Sequence, residues 1–266
     1  MNDIITERSA AILSVQLNRP AKKNAMTSSM YLELAEILND AASDDAIRVV
    51  LWHGAGGSFT AGNDVEDFLK NPPGVGESPQ SRLMTALMTL DKSLVAAVQG
   101  IAVGGGTTML THCDFVYAGE SARFQTPFIN IGLVPEFGSS FSLPSRIGYL
   151  RAAELFLLGQ PFDARRAAEL GLVTRVVPDA DLLATATETA EKLAQKPIGA
   201  LRACKKLIRL STREQVEAAI GRENEEFALR LRMPEAKEAF SAFLEKRLPD
   251  FTKATMVAPA AAPATK

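Results

Sequence analysis

Apolar and polar residues follow one another in patterns that predict strands and helices in turn. Residues 11–17 (AILSVQL) alternate loosely, as in an early strand, whereas residues 28–43 repeat apolar side chains at helical spacing. Residues 47–52 (IRVVLW) form a short β-branched apolar run, which is typical of a buried strand. Because strands and helices alternate, the pattern predicts an α/β domain.

The same order of elements continues downstream. A short helix is predicted from about Asp64, and the segment NPPGVGESPQ (71–80) is predicted to be a mobile loop, since its prolines and glycines suit neither helix nor strand. A strand is then predicted over 94–100, a glycine turn and an apolar helix to about Leu110, and a further strand over 114–118.

The last third of the chain is predicted to be mainly helical. From about Arg151 the strand signal fades, apart from residues 172–177 (LVTRVV). We therefore divide the chain into an α/β core over residues 1–200, a helical region over 201–250 that packs on the core or on a neighbouring subunit, and a disordered Ala/Pro-rich tail over 251–266.

Composition narrows the class of protein. The 266 residues are 47% hydrophobic and 23% charged, the balance of a soluble globular protein with a full core. A net charge of −2 lacks the basic field of a nucleic-acid binder. Neither a signal peptide nor an apolar run of the roughly 20 residues needed to span a bilayer is found. With only Cys113 and Cys204, we expect a cytoplasmic protein without a metal site.

Two glycine-bearing turns are candidates for binding a ligand oxygen. Ala61-Gly62-Asn63 precedes a helix that opens with Asp64, and Gly104–Gly106 ends a strand and starts an apolar helix. Each alone also fits a simpler account: an ordinary loop in which Asp64 caps the helix, and close helix–strand packing. Together, two unpaired N–H groups at helix starts could stabilise one oxygen that becomes negatively charged, as in an oxyanion hole.

From about residue 4 to 251 the chain resembles the crotonase (enoyl-CoA hydratase/isomerase) superfamily. The resemblance rests on motifs in a fixed order: LNRPAKKNAM, FTAGNDVEDF, VQGIAVGGGTTML, FQTPFINIGLVPEFGSS, LLGQPFDARRAAELGLVTRVV and AFLEKR. It implies an α/β fold built as a spiral of ββα units with a helical C-terminal region. It also implies a homotrimer or dimer of trimers and an acyl-CoA thioester substrate, with no separate cofactor because CoA is part of the substrate.

The resemblance also implies site residues. The oxyanion-hole donors would be the backbone N–H groups of Asn63 and Gly105. Phe243 and Lys246 would contact CoA, often from a neighbouring subunit, and Lys22 or Lys23 could contact a phosphate. The expected substrate and CoA contacts are Lys23, Ala25, Ala61, Gly62, Asn63, Asp64, Phe128, Leu133, Phe243 and Lys246. Phe128, Phe137 and Phe141 are candidates for the wall of the acyl tunnel.

The acidic residues favour one reaction. Hydratases of this superfamily hold water between two glutamates, and the corresponding positions here are Thr108 and Phe128. Glu136 lies among apolar residues, which should raise its pKa towards the range of a general base. The segment resembles that of Δ3,Δ2-enoyl-CoA isomerases, in which a single glutamate shuttles a proton.

The sequence is also compatible with other functions. They are a dienoyl-CoA or ring-derived enoyl-CoA isomerase, a weak hydratase, and a non-catalytic acyl-CoA-binding relative. A purely binding relative would not need a buried carboxylate at Glu136, so that residue favours an enzyme.

Overall fold

The computed structural model describes residues 2–73 and 76–254. Within those residues nine strands form two sheets. The strands are β1 (Ile4–Ser9), β2 (Ile12–Leu17), β3 (Val49–Gly54), β4 (Ser93–Val98), β5 (Ile101–Val103), β6 (Phe115–Gly119), β7 (Arg123–Gln125), β8 (Phe162–Asp163) and β9 (Arg175–Val177). This mixed architecture confirms the predicted α/β class.

Twelve α-helices surround the sheets in the same part of the chain. They are α1 (Ser28–Ser43), α2 (Val65–Lys70), α3 (Pro79–Thr89), α4 (Gly105–Thr108), α5 (Ser139–Ile147), α6 (Tyr149–Leu158), α7 (Ala164–Glu169), α8 (Leu182–Ala194), α9 (Ile198–Leu210), α10 (Arg213–Arg230), α11 (Pro234–Leu244) and α12 (Phe251–Ala254). Short 3-10 helices cover Pro20–Lys22, Met109–His112, Pro127–Ile131 and Asp179–Asp181. No helix here is long and apolar enough to cross a bilayer.

The larger sheet has the order β1-β2-β3-β4-β6-β9, with β1 antiparallel to β2 and all later neighbours parallel. The smaller sheet has the order β5-β7-β8. Each repeat places its first strand (β4, β6) in the large sheet and its second strand (β5, β7) in the small one. This arrangement agrees with the expected spiral of ββα units, and it brings the ends of successive repeats together.

Both faces of the large sheet are buried at its central strands β3 and β4, which explains why these strands are almost continuously apolar. Val50 and Trp52 of β3 belong to the main core with α1 and α3, whereas Val49 and Leu51 pack against α8 on the opposite face. Successive residues of a strand point to opposite faces, so a strand buried on both sides must be apolar throughout. All six residues of β3 and of β4 are buried.

Several predicted elements need correction. The strand predicted over 47–52 corresponds to β3, which begins and ends two residues later. Strand β1 and helix α3 were not predicted from the sequence. The end of the predicted loop 71–80 belongs to α3, because Ser78 caps that helix with a reciprocal capping box to Ser81. Residues 74 and 75 of that loop lie outside the described residues.

The C-terminal region also differs in its limits. The boundary drawn at residue 200 falls inside α9, and the expected tail over 251–266 begins with the helical turn α12. Residues 255–266 lie outside the described residues. The helical character of the C-terminal region is confirmed, and α10 packs on α5.

Candidate active site

The two glycine-bearing turns lie side by side because the segment before the first turn pairs with β5. Thr60 donates its N–H to the carbonyl of Ile101 (3.0 Å), and Val103 donates to the carbonyl of Thr60 (3.1 Å). These bonds form a parallel bridge between Thr60 and Ala102. A local tendency to form turns could not produce this contact, since the partner is distant in sequence.

The first turn exposes one backbone N–H. Gly62 has a φ of 85° and faces the carbonyl of Val103, where a Cβ would lie only 2.7 Å from the oxygen. Met26 donates to the carbonyl of Gly62 (2.8 Å) and accepts from the N–H of Asp64 (2.8 Å). The N–H of Asn63 lies between these bonds, and the backbone bonds formed by the described turns do not use it.

The second turn exposes another N–H. Gly104 has a φ of 57° and accepts from the N–H groups of Thr107 (2.9 Å) and Thr108 (3.1 Å). Gly105 opens α4, where a helical N–H has no partner within the helix. A Cβ on Gly106 would lie 2.5 Å from Thr60 Cγ2, so this glycine is needed for the packing of the two turns.

Glu136 lies directly beside the second turn. Its side chain is 4% exposed, and its Oε1 would be 2.7 Å from a Cβ on Gly105. That oxygen is buried and has no hydrogen-bond partner in the described part of the chain. Burial, with a further contribution from the carboxylate of Glu223, raises the pKa of Glu136 to about 8. A carboxyl group with this pKa can both accept and return a proton near neutral pH.

The loop after Glu136 is fixed by contacts from other parts of the fold. Phe137 and Gly138 have φ values of 63° and 69°, so two successive residues take the left-handed conformation. Glu223 of α10 accepts hydrogen bonds from the N–H groups of Gly138 (2.6 Å) and Ser140 (2.7 Å). The bond from Ser140 satisfies one of the first N–H groups of α5, whose N-cap residue, Gly138, has no side chain to do so.

His112 holds the same loop from the other side. Its Nε2 lies 2.8 Å from the carbonyl of Phe137, an acceptor, so that nitrogen must donate. Burial lowers the pKa of His112 to about 4. The imidazole is therefore neutral and structural, and Glu136 is positioned by a rigid scaffold.

A cavity of about 440 Å³ connects the two turns with Glu136. It is lined by Lys22, Ala25, Ala61, Gly62, Asn63, Asp64, Val65, Glu66, Phe68, Val103, Gly104, Gly105, Pro127, Phe128, Ile131, Leu133, Glu136, Phe227, Phe240, Phe243 and Leu244. Asn63, Gly105 and Glu136 therefore border one largely apolar space, which is suited to a thioester with a hydrocarbon chain.

Of the residues expected to act in catalysis or to contact substrate and CoA, all but two line this cavity. Lys23 is absent from the lining. It has a φ of 50°, and its carbonyl accepts from the N–H of Ala61, whereas Lys22 reaches the cavity. Lys246 is also absent from the lining, because it follows the end of α11. Phe243 lines the cavity from within its own chain.

Of the three phenylalanines expected at the wall of the acyl tunnel, Phe128 alone lines this cavity. Phe137 is fully buried in the main core, and Phe141 lines a different cavity. The aromatic wall instead comes from Phe68, Phe227 and Phe240, whose rings meet with centroids 5.7 Å and 6.1 Å apart. The sequence did not indicate them, because helical periodicity does not show against which element an apolar face packs.

The carboxylates at the cavity differ in their surroundings. Asp64 caps α2 and forms an ion pair with Arg19 at 3.1 Å, and Glu66 is exposed. Thr108, at a position expected for a hydratase glutamate, is fully buried and does not line the cavity. Of the carboxylates lining this described cavity, Glu136 is the one buried without a partner.

The chain matches a family model described as "Enoyl-CoA hydratase/isomerase" over residues 7–254. It is 34% identical to the 2,3-dehydroadipyl-CoA hydratase of Escherichia coli, covering 94% of this chain and 99% of that protein. It is also 34% identical to the enoyl-CoA delta isomerase 2 of Rattus norvegicus, covering 86% of this chain and 59% of that longer protein.

A solved structure is similar over nearly its whole length. The enoyl-CoA hydratase/isomerase of Pseudoalteromonas atlantica superposes with a TM-score of 0.89 at 42% identity, covering 94% of this chain and all of that one. The similar proteins thus include both hydratases and isomerases. Which reaction this chain catalyses has to be argued from its own site.

Proposed function

From the premise that the chain belongs to the enoyl-CoA hydratase/isomerase family, we propose that it is an acyl-CoA double-bond isomerase that converts a 3-enoyl-CoA into the trans-2-enoyl-CoA. The observation that supports this reaction is a single buried carboxyl group, Glu136, beside two turns whose N–H groups at Asn63 and Gly105 form no backbone hydrogen bond among the described turns. Family membership supplies the acyl-CoA substrate, and the number of acids in the site selects the reaction.

The proposed first step removes a proton from C2 of the substrate. Glu136 accepts this proton, and the electron pair moves into the thioester to give a dienolate. The negative charge develops on the thioester oxygen, which the N–H groups of Asn63 and Gly105 would bind. Removing one such donor from an enzyme typically costs 10²–10³-fold in kcat, so this pair supports a large part of the rate.

The second step returns the same proton at C4. The C3–C4 π electrons form the new C–H bond, the electron pair between C1 and C2 becomes the C2–C3 double bond, and the thioester carbonyl re-forms. Glu136 becomes a carboxylate again. No water is consumed, so one acid–base group is enough. A pKa of about 8 suits this cycle, because the group is neither a strong acid nor permanently charged at neutral pH.

Hydration would need a second acid–base group, and the site provides none at the expected positions. Thr108 directs its hydroxyl towards backbone carbonyls of α4, and Phe128 places a ring in the cavity wall. Neither side chain can move a proton from water at neutral pH. The carboxylate of Asp64 is engaged with Arg19. A hydratase reaction is therefore the weaker alternative.

We place the CoA portion at the polar rim of the cavity and the acyl chain along its aromatic wall. Lys22 and the backbone at Ala25 and Ala61 form the rim, whereas Phe68 and Phe240 lie deeper. A cation near the mouth suits the phosphates of CoA, and the apolar wall suits a hydrocarbon.

We expect a homo-oligomer: the family resemblance favours a trimer or a dimer of trimers, and exposed apolar side chains on α9 support association. Helix α9 exposes Leu207, Ile208 and Leu210, which are 60–72% exposed, whereas Lys205 on the same helix is buried. A helix with its apolar face outward is expected to bury that face against another copy.

The test is an assay of purified protein with 3-enoyl-CoA substrates, following the conjugated 2-enoyl thioester. Wild-type protein should turn over, and Glu136→Gln should lose at least about 10²-fold in kcat because it cannot accept the proton. Glu66→Gln is the matched control, since it removes an exposed carboxylate at the same cavity.

Two outcomes would contradict the proposal. Near-normal isomerisation by Glu136→Gln would exclude Glu136 as the base. Hydration of 2-enoyl-CoA at a rate equal to or above isomerisation would assign the hydratase reaction. Turnover of dienoyl-CoA or ring-derived enoyl-CoA alone would keep the proton shuttle but change the substrate.

A further inference from the structure

Two buried side-chain oxygens, one on the proposed base and one close to it, have no hydrogen-bond partner among the described residues. One is Oε1 of Glu136, and the other is the hydroxyl of Tyr31 in α1. The side chain of Tyr31 is completely buried. Such groups are rare in folded proteins, because an unpaired buried hydroxyl costs about 1–3 kcal/mol. Two of them in one place require an explanation.

The two oxygens converge on Gly105. A Cβ on that residue would lie 2.7 Å from Glu136 Oε1 and 3.4 Å from the Tyr31 hydroxyl, which puts the oxygens within about 6 Å of each other. A ring carbon of Phe137 lies 3.3 Å from the same point and cannot form a strong hydrogen bond. A shift of the Glu136 carboxyl group towards Tyr31 would bring the two oxygens together and satisfy both.

We infer that Tyr31 is a positioning residue for Glu136: its hydroxyl donates a hydrogen bond to Oε1 when Glu136 is a carboxylate, and so directs Oε2 to the substrate. This inference rests on the proposed proton shuttle at Glu136. Hydrogen bonds in an empty active site are often long and shorten when substrate binds, which fits the open geometry here.

Tyr31 suits this role because its hydroxyl stays protonated. Burial, and secondly the charge of Glu136, raise the pKa of Tyr31 well above its ordinary value. The O–H bond of Tyr31 therefore remains intact through the cycle. The proton that moves from C2 to C4 travels on Oε2, while Oε1 stays anchored.

The hydrogen bond also has an electrostatic consequence. Burial favours the neutral form of Glu136, which cannot act as a base, whereas a donor to the carboxylate favours the charged form. Tyr31 thus increases the fraction of Glu136 that is ready to accept a proton. A hydroxyl that only filled core space would have no such effect, and its removal would leave Glu136 unchanged.

The variant Tyr31→Phe tests the inference, because it removes the hydroxyl and keeps the ring. The pH at which kcat/KM rises should shift upward by about one unit, so that kcat/KM falls about tenfold near neutral pH and recovers at higher pH, with KM little changed. Tyr117→Phe is the matched control, since the Tyr117 hydroxyl is paired with Thr189 at 2.7 Å, away from the cavity.

A second variant tests the opposite direction. Incorporation of 3,5-difluorotyrosine at position 31 makes the hydroxyl a stronger donor and should move the rise in kcat/KM to lower pH. An unchanged pH profile in both variants would overturn the inference. So would a profile that shifts equally in Tyr117→Phe.

A titration without substrate separates this inference from the proposed reaction. Difference infrared spectroscopy can follow the protonated carboxyl band of Glu136, assigned by its loss in Glu136→Gln. If wild-type protein turns over no 3-enoyl-CoA, the proposed reaction fails, yet a higher pKa of Glu136 in Tyr31→Phe would still support the contact. An equal pKa in both proteins would overturn it.

Discussion

The carboxyl group of Glu136 occupies the space that a side chain on Gly105 would need, since a Cβ there would lie 2.7 Å from Oε1. The proposed base and one proposed oxyanion donor are therefore in direct contact. Any change at Gly105 must move the base, the peptide N–H or both. This contact makes the glycine a requirement of the site and not only of the turn.

Gly105→Ala should lower kcat by about 10²-fold or more, because the new methyl group displaces the donor or the base. It should also destabilise the fold by about 1–3 kcal/mol through overpacking. Steady-state kinetics and thermal unfolding measure the two effects. Gly221→Ala in α10 is the control, since a Cβ there meets nothing within 4 Å, and it should keep full activity. Full activity in Gly105→Ala would place the oxyanion elsewhere.

The isomerase should depend on pH through Glu136. Its pKa is raised to about 8, so the free enzyme holds the carboxylate only above that pH. We expect kcat/KM to rise about tenfold per pH unit below this value and to level off above it. A flat profile between neutral pH and the plateau would show that Glu136 is already charged when the substrate binds.

Stability should respond to the same group. A carboxyl pKa raised in the folded state stabilises the fold below the unfolded pKa, and this contribution is lost as pH rises from about 4.5 to about 8. Glu136→Gln has no charge to bury. Above pH 8 its free energy of unfolding should exceed that of wild type by at most about 5 kcal/mol, with no difference near pH 4. Denaturant unfolding of both proteins between pH 4 and a pH above 8 checks this. An equal difference in the free energy of unfolding at the two ends of that range would refute it.

Glu223 should influence Glu136 in the direction opposite to Tyr31. Its carboxylate is the second cause of the raised pKa of Glu136, so Glu223→Gln should shift the rise in kcat/KM to lower pH. The variant also weakens the bonds to Gly138 and Ser140, which should cost about 1–2 kcal/mol of stability. Glu225→Gln, an exposed neighbour on α10, serves as the control. An upward shift would contradict this assignment.

The two adjacent lysines should differ in substrate affinity. Lys22 lines the cavity and Lys23 does not. Lys22→Ala should raise KM by roughly 2–5-fold, as expected for an exposed ion pair with phosphate, and the effect should shrink at high salt. Lys23→Ala should change KM little. KM of both variants measured at two ionic strengths checks these expectations. An equal change in KM for Lys22→Ala and Lys23→Ala would mean that Lys22 makes no specific contact.

Local patterns in the sequence determined the class of fold and the chemistry of the backbone turns. The two glycine turns and the apolar strand β3 depend on neighbouring residues and on burial of both strand faces, so their signals are present in short segments. The lone Glu136 among apolar residues was visible in the same way, as was the replacement of the hydratase acids by Thr108 and Phe128. Together with the resemblance to the crotonase superfamily, these features were enough for the proton-shuttle hypothesis.

Only the tertiary structure decided what surrounds that glutamate. Tyr31 of α1 and Glu223 of α10 are far apart in the sequence, and no local period shows that both lie close to the segment that carries Glu136. That Lys22 lines the cavity and Lys23 does not likewise depends on the left-handed backbone conformation of Lys23. Burial and electrostatics act through space, whereas the sequence displays only neighbours along the chain. The pKa of Glu136, and with it its fitness as a base, is therefore a property of the packed fold.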